Sequence, residues 1–90
     1  VDQERFEKLK QRATKVFSDL DALTGSDPII RKRNRLSGRI DLQIIWLEMG
    51  GEWTPKDHPD YVYSTLDRLE EALDTAESFI AEVNRGPREV

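Results

Sequence analysis

The one concentration of side chains suited to chemistry lies within residues 31–43. It holds Arg31, Lys32, Arg33, Arg35 and Arg39, with Gln43 following. Guanidinium forks match carboxylate and phosphate oxygens in pairs, and an amide can add a directional hydrogen bond. Such a set can hold a small dianion, an acidic protein surface, or the phosphates of nucleic acid or acidic lipid. Residues 29–40 contain five bases and no acid, yet the whole chain carries a net charge of −4. A nucleic-acid domain usually presents an overall basic face, so this balance favours a protein partner over nucleic acid.

Groups for catalysis are sparse. The single histidine, His58, stands before Pro59 in a glycine- and proline-rich stretch, and there is no cysteine. A zinc site needs several ligands at compatible spacing, so His58 reads as a surface or capping residue. No phosphate-cradling glycine loop and no nucleophile signature occurs. The expectation is a non-enzymatic protein that needs no cofactor. The lack of cysteine fits a reducing, cytoplasmic setting.

Three amphipathic stretches must position these residues. In the first, Phe6, Leu9, Ala13, Val16, Leu20 and Leu23 step by three and four, a heptad seam that predicts a helix over about 3–24. Gly25 is placed to close it in the left-handed conformation. Asp27 then reads as an N-cap and Pro28 as a first helical residue, opening a second helix over about 28–49. Its inner stripe is Ile29, Leu36, Ile40, Ile44 and Leu47, with Arg33 and Gln43 at the edges. Gly38 either allows a close helix approach or is merely tolerated. Gly50-Gly51 stops this helix, and Trp53 is expected to fold back over the bundle end. Val62, Leu66, Leu69, Leu73, Ala76, Ile80 and Val83 form a third seam, which predicts a helix over about 60–84.

Ninety residues with short connections therefore predict a single all-α domain, an up-down-up antiparallel three-helix bundle. No apolar run approaches the roughly 18 residues of a membrane span. Seven acids against Arg68 alone mark residues 60–84, and most are expected on that helix's outward side. A basic run near a helix N-terminus opposes the helix dipole. Asp19, Asp21, Glu77 and Glu82 are the expected internal complement to it.

Beyond the inner stripe, Leu42, Ile45 and Met49 point away from the core, with Trp46 to one side. Four large apolar groups over two turns make a patch that marks a binding site when left uncovered. The expected interface for a protein partner, or for a second copy in a homo-oligomer, is thus the end of the second helix, with the basic cluster beside it.

Three family resemblances bear on this reading. The stretch LDALTGSDPIIRKRNRLSGRIDLQIIWLE (20–48) resembles the end of a BAG domain, a three-helix module that binds the ATPase domain of heat-shock chaperones. That resemblance implies a chaperone regulator in which Asp21, Arg35 and Gln43 contact the partner. Ser37-Gly38 departs from the family's apolar pair, and the turn needs a one-residue shift. Trp46-Leu47-Glu48, followed by an acidic leucine-spaced helix, resembles a spectrin-type repeat, which implies an adaptor or scaffold of coiled-coil type. In size and composition the chain is also similar to the all-helical chorismate mutases. That similarity implies dianion binding by Arg33, Arg39 and Gln43, although the family's opening helix is missing.

Overall fold

A computed structural model describes residues 2–48 and 66–86. They form three helices: α1 (Gln3–Asp21), α2 (Asp27–Glu48) and α3 (Leu66–Asn84). Asp2 starts α1. Its backbone is extended and its Oδ1 accepts from the Arg5 N–H at 3.1 Å, which satisfies one of the orphan donors of the first turn. α1 ends at Asp21, earlier than the seam predicts. There the Ala22 N–H donates to the Ser18 carbonyl and the Leu23 N–H to that of Leu20, tightening the last turn. Leu23 nevertheless stays buried, so the apolar seam outlasts the helix.

Gly25 does not close α1 as expected. It lies in the turn at φ +152°, a backbone geometry that side chains rarely adopt, and an added Cβ would stand 2.9 Å from Ile29 Cδ1. α2 begins one residue before the expected start, with Asp27 in its first turn, where the helix dipole favours a carboxylate. The Ile30 N–H donates back to the Ser26 carbonyl. At the far end, the expected residues 60–65 of the third helix lie outside the described residues, as do Met49, Trp53, His58 and Val62.

The core is one cluster. All six seam residues of α1 are buried, with Leu36, Ile40 and Leu47 of α2 and Leu69, Ala72, Leu73, Ala76, Phe79 and Ile80 of α3. Ile29, Ile44, Leu66 and Val83 pack against it half-buried. Apart from Val62, the predicted stripes therefore form the core or pack against it. Ala72 and Phe79 extend it, because α3 lies against both other helices more extensively than they touch each other. A helix between two neighbours must bury a wider arc.

Ion pairs fix the directions of the helices. Arg5 Nη2 donates to Asp67 Oδ1 at 2.7 Å and to Glu70 Oε1 at 3.0 Å. Arg12 repeats the pattern with Asp74 and Glu77, its Nε donating to Glu77 Oε2 at 2.9 Å. Both sides advance by seven residues, so α1 and α3 run parallel. Lys10 approaches Glu48 and Arg33 reaches the Leu23 carbonyl, so α2 runs antiparallel to α1. The arrangement is an up-down-up three-helix bundle.

The acids of α3 are exposed, as expected, and four of them also reach across to the α1 arginines from the rim of the helix seam. Hydrogen bonds to Glu77 first and Asp74 second raise the Arg12 guanidinium above its ordinary pKa, so it stays charged at every accessible pH. Arg12 is the less exposed of the two arginines. Replacing it with Met keeps the aliphatic stem and removes the fork. Arg12→Met is expected to cost about 1 kcal/mol at low salt and less at high salt, and Arg5→Met to cost less again. Urea titrations at two ionic strengths measure this; equal losses at both strengths would refute it.

Among the described residues, a Cβ added at Gly38 has no neighbour within 4 Å. The glycine is tolerated in α2 and does not admit a close internal helix approach. Gly38→Ala is therefore expected to raise stability by about 0.5–1 kcal/mol, through reduced freedom of the unfolded chain. A drop in the denaturation midpoint would show that the space is not open.

Candidate functional site

α2 carries two faces. At 100° per residue, Ile29, Leu36, Ile40, Ile44 and Leu47 centre on the inner side. Arg31, Arg35, Gly38, Leu42 and Ile45 recur at steps of four, three, four and three, within about 80° of arc on the opposite side. All five are exposed. Leu42 and Ile45 keep 51% and 43% of their surface in solvent, the two large apolar side chains that do so among the described residues. Trp46 lies half-buried at one edge of this stripe, and Asp41 and Glu48 are exposed along the other.

The basic residues divide by role. Arg33 is half-buried. Its Nη1 donates to the Leu23 carbonyl at 3.0 Å and its Nε to Asn34 Oδ1 at 3.2 Å, so it fastens the α1–α2 turn. Lys32 stands over the Phe79 ring, with Nζ 4.9 Å from the centroid, a cation–π contact to α3. Arg31, Arg35 and Arg39 form no ion pair among the described residues. None of the four acids expected to complement the run makes an ion pair with it among the described residues. Glu77 is held by Arg12, and Asp19 by Lys15 at 2.9 Å, while Asp21 and Glu82 reach no base among the described residues. Register is the physical reason: the two α3 acids nearest each α1 arginine are claimed across the α1–α3 seam.

The residues singled out by family likeness do not gather at one point. Asp21 is exposed at the end of α1 and Arg35 on the outer face of α2. Gln43 is half-buried, and its Oε1 is enclosed with no hydrogen-bond partner among the described residues. Arg33 and Arg39 stand about 120° apart on the helix, the first committed to the turn and the second to solvent. Where α1 ends and α2 begins, a cleft of about 610 Å³ lies against α3 and includes Ile29, Lys32, Phe79, Glu82, Val83 and Arg85 in its lining. Its charged groups have mixed sign and it lies at the base of the basic run, away from Leu42 and Ile45.

Among the described residues no group of three or more His, Cys, Asp or Glu could hold a metal ion, and no helix is long and apolar enough to cross a membrane. The residues that sequence reasoning joined least well are Arg31, Arg35 and Gly38. They lie on the same meridian as Leu42 and Ile45, and their shared heptad spacing was the signal. Comparison with protein families, with curated proteins and with solved structures finds none that matches this chain.

Proposed function

We propose that this domain is a non-enzymatic protein–protein interaction module, of adaptor, scaffold or co-chaperone type, that binds a partner through the outer face of α2. The observation that carries the proposal is the exposure of Leu42 and Ile45 in line with Arg31 and Arg35, on a helix whose inner stripe already completes the core. Met49 belongs to the same meridian by spacing and lies outside the described residues. Aromatic and aliphatic anchors concentrate interface energy, and Trp46 borders the patch. The absence of cysteine accords with a cytoplasmic setting.

Likeness to a BAG domain names one class of partner, the ATPase domain of a heat-shock chaperone. Exposed Asp21 and Arg35 suit that role, whereas the enclosed acceptor of Gln43 does not. The test is affinity capture with the wild-type domain and with a Leu42→Asp/Ile45→Asp variant. The variant is expected to keep the helical circular dichroism and lose the captured partner. A folded variant that retains every interaction of the parent overturns the proposal, and so does turnover of chorismate by the wild type.

A further inference from the structure

The outer stripe of α2 has an internal polarity. Its N-terminal half is cationic, with Arg31 and Arg35 on the meridian and Arg39 flanking them. Its C-terminal half is apolar, with Leu42 and Ile45. The exposed positions from 31 to 45 extend about 21 Å along the helix axis. Between the halves Gly38 leaves a gap in the row of side chains, with no described residue of another element within 4 Å of where a Cβ would stand. Heptad spacing is the period at which a helix receives another helix.

Among the described residues the bundle supplies no ion-pair complement to this run. Asp67, Glu70, Asp74 and Glu77 are matched to Arg5 and Arg12, while Arg31, Arg35 and Arg39 meet no carboxylate among the described residues. We infer that this stripe receives an amphipathic helix of another protein that is acidic over one half and apolar over the other. Its carboxylates meet Arg31 and Arg35, and its aliphatic side chains cover Leu42 and Ile45. This inference rests on the docking role of α2 proposed above and specifies the chemistry of the partner.

The alternatives fit the stripe less well. Parallel pairing with a second copy stacks Arg31 and Arg35 on their own images. Antiparallel pairing about Gly38 sets Arg31 opposite Ile45, so guanidinium faces aliphatic on the meridian, and the carboxylates of the second copy, Asp41 and Glu48, stand only at the edge of the stripe. Duplex RNA would engage the arginines but offers nothing to Leu42 and Ile45; an anionic membrane could take both groups, but two aliphatic side chains bury little area at its acyl boundary.

The test uses the whole chain and synthetic helical peptides about 21 residues long, roughly 30 Å. One pair carries glutamates over half of a heptad face and leucines over the other half, in the two possible orders. Matched controls replace the glutamates by lysines or by glutamines. Binding is read by fluorescence anisotropy, and the site by backbone NMR shifts. One acidic–apolar peptide is expected to bind, with shifts centred on Arg35, Leu42 and Ile45. Arg31→Glu/Arg35→Glu should weaken it by roughly tenfold or more and should transfer the preference to the lysine peptide. Equal affinity for the glutamine peptide overturns the charge complement and leaves the docking face standing. Binding of any peptide that is indifferent to Leu42→Asp/Ile45→Asp overturns the docking face as well. Concentration-dependent dimerisation through the stripe, or tighter binding of duplex RNA or phosphatidylserine vesicles than of any peptide, overturns the inference in favour of those occupants.

Discussion

Leu69→Ala is expected to lower the stability of the domain by about 2–5 kcal/mol, the usual cost of a buried leucine truncation that leaves a cavity. Leu69 has 0% of its surface exposed and lies in the single core cluster, on the helix that both others pack against. Truncation there removes contacts to more than one neighbour, and the rigid helices can close the space only in part. A chain of this size has roughly 5–13 kcal/mol of total stability, so the loss takes a large share of it. Guanidinium denaturation with an unchanged slope and a lowered midpoint is the expected record. A change below about 0.5 kcal/mol, the level of an ordinary surface substitution, would mean that Leu69 is not at the centre of the core.

That core was largely legible before any coordinates, and the reason is geometric. On α1 every third or fourth residue from Phe6 to Leu23 is apolar, and one face of a helix must then be buried whatever the partner. On α3 the same reading finds Leu69, Leu73, Ala76 and Ile80 but passes over Ala72 and Phe79. Those two, seven apart, belong to a second face that is buried only because α3 touches two helices. A single-seam pattern contains no information about a second neighbour.

The ion pairs show the same limit in another form. Arg5 and Arg12 recur at seven, as do Asp67 and Asp74, and Glu70 and Glu77. The shared period was not read as a register, because which acids meet which bases depends on the parallel course of α1 and α3. Pairing of the basic run with Asp19 and Glu77 was plausible from topology alone. It fails because Lys15 and Arg12 stand nearer. On α2, Leu42 and Ile45 were legible as surplus to the core, since the inner stripe was complete without them. Their continuity with Arg31 and Arg35 was harder to see, because charge and hydrophobicity are commonly read as separate signals. A helix wheel places them together.

The sharpest check on the two faces of α2 is the same substitution on each. Ile40 is fully enclosed, with 0% exposure, and Ile45, five residues on and about 140° around the helix, is 43% exposed. Ile40→Asp would place a carboxylate within the apolar core cluster shared by the three helices. A buried ion without a partner costs several kcal/mol, or is neutralised by a raised pKa at a similar cost. Added to the lost apolar burial, the cost approaches the total stability of the domain, so Ile40→Asp is expected to be unfolded at neutral pH and 25 °C. Its folded-state pKa would be raised, so protonation favours folding, and partial recovery of helicity is expected as the pH falls toward 4. Ile45→Asp places the same group in water and is expected to stay within about 0.5 kcal/mol of the parent. Circular dichroism melts of the two variants decide the matter. Unfolding by Ile45→Asp would mean that this face is core and would remove the docking surface. A well-folded Ile40→Asp would reverse the inner and outer sides of α2.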